Sequence, residues 1–364
     1  MKRFYYLLAV LLAIVVYAVT AYALTAEEML LLKRGGISDE KILEIQRKEG
    51  LAPAPKINPF DWNEDGKKDI IAGSDSGCVY LYLNTGTNTQ PIFSKSRWVS
   101  SVKISRLDEN TNLWYLPTAC PYSNALLDPY IVDWNNDGRK DIILGQSNGE
   151  ISLFINIWNN KQPIFAPEIK LNDGDIDVGS SSSPAMVDWN GDGKKDLIVG
   201  NQKGEVYVFL NIGEDYAPEF QSTCIKTEIK VPAYARPFIV DWNHDGKFDI
   251  ISGSLEGAWG FKGKVYIFIN KGDTKNPKFD EVQTLQVNSK ELILPYNTSV
   301  IALDWDDDGK TDILVSNQSR TKRDISTGKE DIIPLGVYLL LNTGTKEKPE
   351  FKELKEIKCN ICKV

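Results

Sequence analysis

A chain of 364 residues with 42% hydrophobic content is long enough to bury a large core, and evenly recurring motifs make most of it one architecture although its length would allow two domains. The formal charge of −8 comes from 50 acidic against 42 basic residues; no basic patch or arginine-rich arm stands out, which argues against nucleic acid as a partner. With His244 the sole histidine, Ser–His and Cys–His nucleophile pairs and histidine-based zinc centres are excluded.

Residues 1–23 read as an export signal peptide: Lys2 and Arg3 precede an apolar run from Phe4 to Val19, and Ala21-Tyr22-Ala23 supplies small residues for cleavage before Leu24. The run approaches the length of a membrane span, so contact with a membrane is expected only if the signal stays uncleaved. Residues 24–51 predict a short helical segment. Thr25 caps a first helix with Glu28 completing the capping box, Gly35-Gly36 stops it, and Ser38 caps a second helix to about Lys48. Ala52-Pro53-Ala54-Pro55 forms a stiff linker, and the repeated region occupies 56–364. The five cysteines, Cys78, Cys120, Cys224, Cys359 and Cys362, are odd in number and their pairing is not readable from sequence; the final CxxC has no second ligand pair to complete a zinc site.

One nine-residue stretch organises the region. DWNEDGKKD at Asp61, DWNNDGRKD at Asp133, DWNGDGKKD at Asp188, DWNHDGKFD at Asp241 and DWDDDGKTD at Asp304 carry oxygen-bearing side chains at positions 1, 3, 5 and 9 and glycine at 6. That spacing suits a hard Ca²⁺ ion, which takes roughly six to eight oxygens, because alternate residues of a tight loop turn inward and glycine permits the bend that aims the position 7 carbonyl at the ion. An Asp-Gly turn that binds nothing is the reading for any single copy; five intact copies favour metal. The expected donors are Asp61, Asn63, Asp65, Lys67 and Asp69; Asp133, Asn135, Asp137, Arg139 and Asp141; Asp188, Asn190, Asp192, Lys194 and Asp196; Asp241, Asn243, Asp245, Lys247 and Asp249; and Asp304, Asp306, Asp308, Lys310 and Asp312, where the Lys or Arg contributes its carbonyl. Removing the ion would leave carboxylates crowded in one turn, so the role is read as structural.

Each loop runs into an apolar strand (IIAG, IILG, LIVG, IISG, ILVS), then a turn, a β-rich segment (CVYLYLN, EISLFIN, EVYVFLN, KVYIFIN, GVYLLLN), a second turn and a PIF, PEF or PKF segment. The expected unit is four short antiparallel strands, A to D, with the loop between A and B. Repetition about every 60 residues predicts propeller blades, which hide strand edges by closing a ring.

DxNxDGxxD followed by an apolar strand and glycine resembles the FG-GAP or VCBS repeats, over roughly Lys56 to Phe351. That family is known from the β-propeller of integrin α subunits and is widespread in exported bacterial proteins. The resemblance implies an all-β fold with a calcium-binding A–B loop in each blade. Five blades are expected here, with seven blades, or a ring completed by another chain, as the alternatives. The functional expectation is an exported, calcium-stabilised binding or adhesion module for an extracellular or envelope protein or glycan, without catalysis. A secreted polysaccharide lyase or glycosidase and a structural envelope subunit are the alternatives, since the family carries many functions.

The five Trp of the DW pairs read as blade packing, while Trp98, Trp114, Trp158 and Trp259 fall outside the repeat and are freer to serve function. His244 at loop position 4 aligns with Glu64, Asn136, Gly191 and Asp307 and is expected to face solvent. Differences in unit length fall at Asp108–Asp128, Leu255–Gly263 and Ser319–Gly336, all expected on the face opposite the calcium loops, so Trp114, Tyr115 and Trp259 are the candidate ligand anchors.

Overall fold

The computed structural model describes residues 57–357, except 74–78, 96–126, 161–162, 167, 172–175, 177, 216–217, 222–223, 257–261, 274, 318–319, 324–329 and 334–335. The expected signal, helical and linker segments, the anchors Trp114, Tyr115 and Trp259, and Trp98 therefore lie outside the described residues. So do Cys78, Cys120, Cys359 and Cys362, whereas Cys224 is an exposed free thiol. Among the described residues there is no helix.

Five antiparallel sheets of four strands each account for most of the fold. They comprise Ile57–Phe60, Asp69–Gly73, Val79–Asn84 and Phe93–Lys95; Leu127–Val132, Asp141–Gln146, Ile151–Phe154 and Ile169–Lys170; Ser183–Val187, Asp196–Gly200, Glu205–Phe209 and Ile225–Lys230; Arg236–Val240, Asp249–Gly253, Val265–Ile269 and Glu281–Thr284; and Thr298–Leu303, Asp312–Asn317, Gly336–Leu340 and Lys355–Glu356. In every sheet the aspartate loop joins the first strand to the second, in the register that pairs Val187 with Asp196 and Leu303 with Asp312. This is a β-propeller built of four-stranded blades. A compact unit of 53–319 and 334–364 holds all five sheets. The strand pair Arg320–Arg323 and Glu330–Ile333 falls in a second unit, with Arg323 opposite Glu330 and Lys322 opposite Asp331.

The second strands are apolar without alternation because both of their faces are covered. Ile71 enters a core shared with Ile142, Leu144 and Phe154 of the second sheet, while its neighbour Ile70, on the other face, packs with Ile301, Trp305 and Leu314 of the fifth. Further cores join the second sheet to the third, the third to the fourth and the fourth to the fifth. Close approach of the sheets explains the glycine at or next to the end of four of the second strands. A Cβ on Gly73, Gly145, Gly200 or Gly253 would lie 1.8, 2.2, 2.2 or 1.9 Å from a carbonyl oxygen of Leu127, Ser182, Ala235 or Thr298 in the following unit.

Each loop tryptophan is buried between neighbouring sheets. Trp134 meets Phe220 at 6.3 Å, Trp189 meets Phe279 at 5.8 Å and Trp242 meets Phe351 at 6.2 Å between ring centroids, and Trp62 and Trp305 share cores with Phe165 and Phe93. The Phe of each PIF-type segment is thus the partner of the preceding unit's tryptophan. The expectation that it opens the fourth strand needs refinement. Phe93 does begin that strand, but Phe165, Phe220 and Phe351 make single bridges to Asn156, Asn211 and Asn342, and pairing resumes several residues later. Trp189→Ala should cost about 3–5 kcal/mol of stability in denaturant titration, the range for deleting a large buried aromatic.

Candidate metal centres in the aspartate loops

Before any ion is considered, the aspartates organise their own loops. The position 1 carboxylate takes the amides of positions 5 and 6: Asp188 accepts from Asp192 at 3.0 Å and Gly193 at 2.9 Å, and Asp304 accepts from Asp308 at 3.0 Å and Gly309 at 2.8 Å. The position 5 carboxylate then accepts the position 7 amide, as Asp65 does from Lys67 at 3.0 Å and Asp245 from Lys247 at 3.0 Å. Asp133, Asp137 and Arg139, and Asp61 and Asp241 in their loops, repeat these bonds. Two left-handed residues close the turn. Gly66, Gly138, Gly193, Gly246 and Gly309 sit at φ between 81° and 88°, which keeps side chains out of position 6, and Glu64, Asn136, His244 and Asp307 adopt φ of 53–63° at position 4.

Position 9 is deeply buried. Asp69, Asp141, Asp196, Asp249 and Asp312 are each 0–1% exposed. One oxygen accepts the loop tryptophan's amide and the other accepts the amide of an asparagine at or just beyond the end of the third strand; in the third unit both bonds, from Trp189 and Asn211, measure 2.8 Å. Those asparagines, Asn84, Asn156, Asn211, Asn270 and Asn342, are functional positions that sequence reasoning passed over. Their side-chain oxygens fasten the next turn: Asn270 accepts from Gly272 at 2.9 Å and Lys278 at 3.0 Å. The signal was present, since three of them stand 15 residues after their aspartate. Burial pushes the carboxyls of Asp141, Asp196 and Asp312 up to about 6 and moves those of Asp69 and Asp249 the same way, the backbone donors opposing it.

Position 3 separates the loops into two kinds. Asn63, Asn190 and Asn243 donate their amides to the position 5 carboxylates of Asp65, Asp192 and Asp245 at 3.2, 3.1 and 3.2 Å. Asn135 accepts the Asp137 amide at 3.3 Å, and there the Arg139 guanidinium sits on Asp137. Lys67 and Lys247 lean on Asp65 and Asp245 at 3.8 and 3.3 Å, and Lys194 reaches the Ile212 carbonyl at 3.3 Å. The fifth loop has Asp306 in place of asparagine. Its Oδ1 is buried and accepts no hydrogen bond, and it has no proton to give Asp308, which pairs instead with Lys310 at 2.8 Å. Oxygens of Asp304, Asp306 and Asp312 converge to within 4.8 Å of one another. Three converging carboxylates with an orphaned oxygen make a donor set for a hard divalent cation.

Position 4 is exposed, as expected, yet it also reaches the following unit. Lys195 donates to the Trp134 carbonyl at 3.0 Å and to Asn136 at 2.6 Å, and Asp215 binds both Asn136 and Lys195. Glu64 accepts from Asn160 at 2.8 Å, and His244 Nε2 lies 3.4 Å from the Thr311 hydroxyl. Between the fifth and first sheets, Lys68 reaches the Trp305 carbonyl at 3.0 Å and Asp307 at 2.6 Å, and Asn88 donates to Asp307 at 3.0 Å. Lys68 holds the Asp307 carboxyl below the usual range. Beside the second loop, Trp158 stands 62% exposed with Ile157 next to it.

The FG-GAP-like repeat profile matches residues 133–199, 188–252 and 241–315, windows that overlap and together span half the chain. The chain belongs to the FG-GAP-like repeat family. Each matched FG-GAP-like window starts at a loop's first aspartate and ends within the second strand of the next sheet, so the family's unit straddles two blades. The chain is 30% identical over 137 residues to a T-cell immunomodulatory protein homolog of Plasmodium yoelii yoelii, covering 34% of this chain and 20% of that protein. It is 25% identical over 215 residues to the T-cell immunomodulatory protein homolog of Plasmodium falciparum (isolate 3D7), covering 54% and 29%. It thus spans less than a third of the length of these relatives. Among solved structures, a fructofuranosidase from Schwanniomyces occidentalis complexed with fructose aligns at 11% identity with a TM-score of 0.49, covering 84% of this chain and 60% of that one.

The raised position 9 carboxyls carry a signed pH dependence. A folded-state pKa above the unfolded value contributes stability below about pH 4 that is lost as pH rises through about 6. In chelator, melting temperature should therefore fall from about pH 5 to about pH 7, and millimolar Ca²⁺, which favours the ionised carboxylates, should diminish or reverse that fall; thermal melts in both buffers read it directly.

Proposed function

We propose that this chain is an exported, calcium-stabilised five-bladed propeller that binds a protein or glycan ligand and performs no catalysis of its own. The observation that carries the reading is one oxygen-rich loop repeated in each of five four-stranded sheets whose cores join in a cycle, first to fifth and fifth to first. Calcium would be held by the side chains at positions 1, 3, 5 and 9 and the carbonyl of position 7. It supplies positive charge that cancels repulsion among the carboxylates; the loops and position 9 aspartates hold those groups in place. Export rests on the sequence of residues 1–23. It agrees with calcium use, because extracellular modules bind at about 10⁻⁴–10⁻³ M.

The ligand face is proposed opposite the aspartate loops, with Trp114, Tyr115 and Trp259 as anchors, because the units differ in length there. Trp158 is the comparison on the loop face, exposed and beside the second loop. The test is a glycan and protein-ligand array read alongside a polysaccharide cleavage assay. Binding without cleavage, lost in Trp114→Ala and Trp259→Ala but kept in Trp158→Ala, is the expected outcome. Cleavage would replace the binding module with the enzyme reading, and loss confined to Trp158→Ala would move the ligand to the loop face.

Calcium itself is tested by melting. At tenfold excess over Kd each occupied site adds about 1.4 kcal/mol, so EDTA should lower the melting temperature and millimolar Ca²⁺ should restore it. Asp192→Ala should remove one site from a calorimetric titration and leave the others.

A further inference from the structure

The unit interfaces use one clasp with different chemistry, and the fifth-to-first interface joins it to the loop least able to hold itself together. We propose that the cation in the fifth loop is the latch of the ring: its occupancy controls the seam between the last and first blades, while the other interfaces stay closed without it. This rests on the calcium reading above and goes beyond it by assigning unequal roles to the loops.

The loops at Asp61, Asp188 and Asp241 are internally bonded through the position 3 asparagine amide, and the one at Asp133 through Asn135, whose oxygen accepts the Asp137 amide. These keep their shape by hydrogen bonds alone. Asp306 cannot do the same: its Oδ1 is buried without a donor and faces Asp304 and Asp312 across the short span already described. Without a cation, like charges in a partly desolvated turn repel, and the turn relaxes to rehydrate them.

Relaxation there is transmitted to the seam, because the blade-five half of the clasp lies within that loop. Trp305 offers its carbonyl to Lys68 and its indole N–H to the Asn88 carbonyl, and Asp307 binds both Lys68 and Asn88. Trp305 and Asp307 both lie between Asp304 and Asp312. The Asp307 charge is answered from the first sheet by Lys68, at 2.6 Å, so movement of the turn breaks an ion pair together with three hydrogen bonds. At the other interfaces the corresponding partners are Asn136 with Lys195, Glu64 with Asn160, and His244 with Thr311. Between the third and fourth sheets Phe248 packs on Trp189 at 5.3 Å instead. Of those residues only Thr311 belongs to the all-aspartate loop, and it offers His244 a single 3.4 Å contact against the ion pair and three hydrogen bonds of the seam.

Hydrogen–deuterium exchange of the full chain in Ca²⁺ and in EDTA tests the latch. Chelation should speed exchange by about tenfold in segments 61–73, 84–93 and 304–312, and much less in 188–200 and 241–253. Asp306→Asn restores the amide that other loops carry, so its seam should stay protected in EDTA. Lys68→Met should expose the seam even in Ca²⁺, and Lys195→Met should loosen only its own interface without creating calcium dependence there. Equal acceleration at all five loops, or an Asp306→Asn seam that still opens on chelation, overturns the latch and leaves the calcium reading standing. If calorimetry detects no Ca²⁺ binding and chelation changes exchange nowhere, the calcium reading fails and the latch with it.

Discussion

The interaction on which the rest depends is the buried position 9 aspartate taking two backbone amides, one from the loop and one from the end of the third strand. Isolating a carboxylate from water is costly unless it accepts hydrogen bonds, and these donors come from segments that have no other reason to meet. Asp196, by binding Trp189 and Asn211 together, fixes the loop against the end of the third strand at the same edge of its own sheet. The tryptophan between them is thereby aimed at the neighbouring sheet. One carboxylate sets the geometry within a blade and, through the indole, the packing between blades.

Charge and burial are balanced against each other at this position. Burial raises the carboxyl's pKa and the backbone donors lower it; burial is the larger effect, so the pKa stands above the ordinary carboxylate value. Such a group is sensitive to any positive charge brought near it. A loop that gathers further carboxylates around this residue would couple proton release to the uptake of any cation it bound.

Much of this was legible in the residues. The aspartate spacing located every A–B connection, and the run IIAG with its relatives located every second strand, because unbroken hydrophobicity marks a strand covered on both faces. The role of the DW tryptophans as packing groups was also readable. What escaped were pairings at long separation. Nothing local in VYVFLN marks Asn211 as the second donor to Asp196, although a 15-residue interval recurs in three units, and nothing near Lys68 points to Asp307, which lies 239 residues away. Position 4 varies in type, so it read as a free surface site; each side chain there answers a different neighbour, and variation at one end of a contact follows variation at the other. The break after Phe165, Phe220 and Phe351 was hidden as well, since a β-prone triplet does not reveal that its aromatic ring is committed to another sheet.

The core shared by the first and fifth sheets has a consequence for how the chain is made. Ile70, Tyr82 and Phe93 are finished early in synthesis, but their partners Ile301, Trp305, Leu314 and Leu339 leave the ribosome more than 200 residues later. Contacts of such separation are slow to form because a long loop must be closed before they return any stability. The middle sheets can each settle against a neighbour as they emerge, while the first has one flank bare until the last is complete. During that interval the nascent protein presents a sticky edge, and correct folding becomes a race between its final blade and any other apolar surface that arrives first.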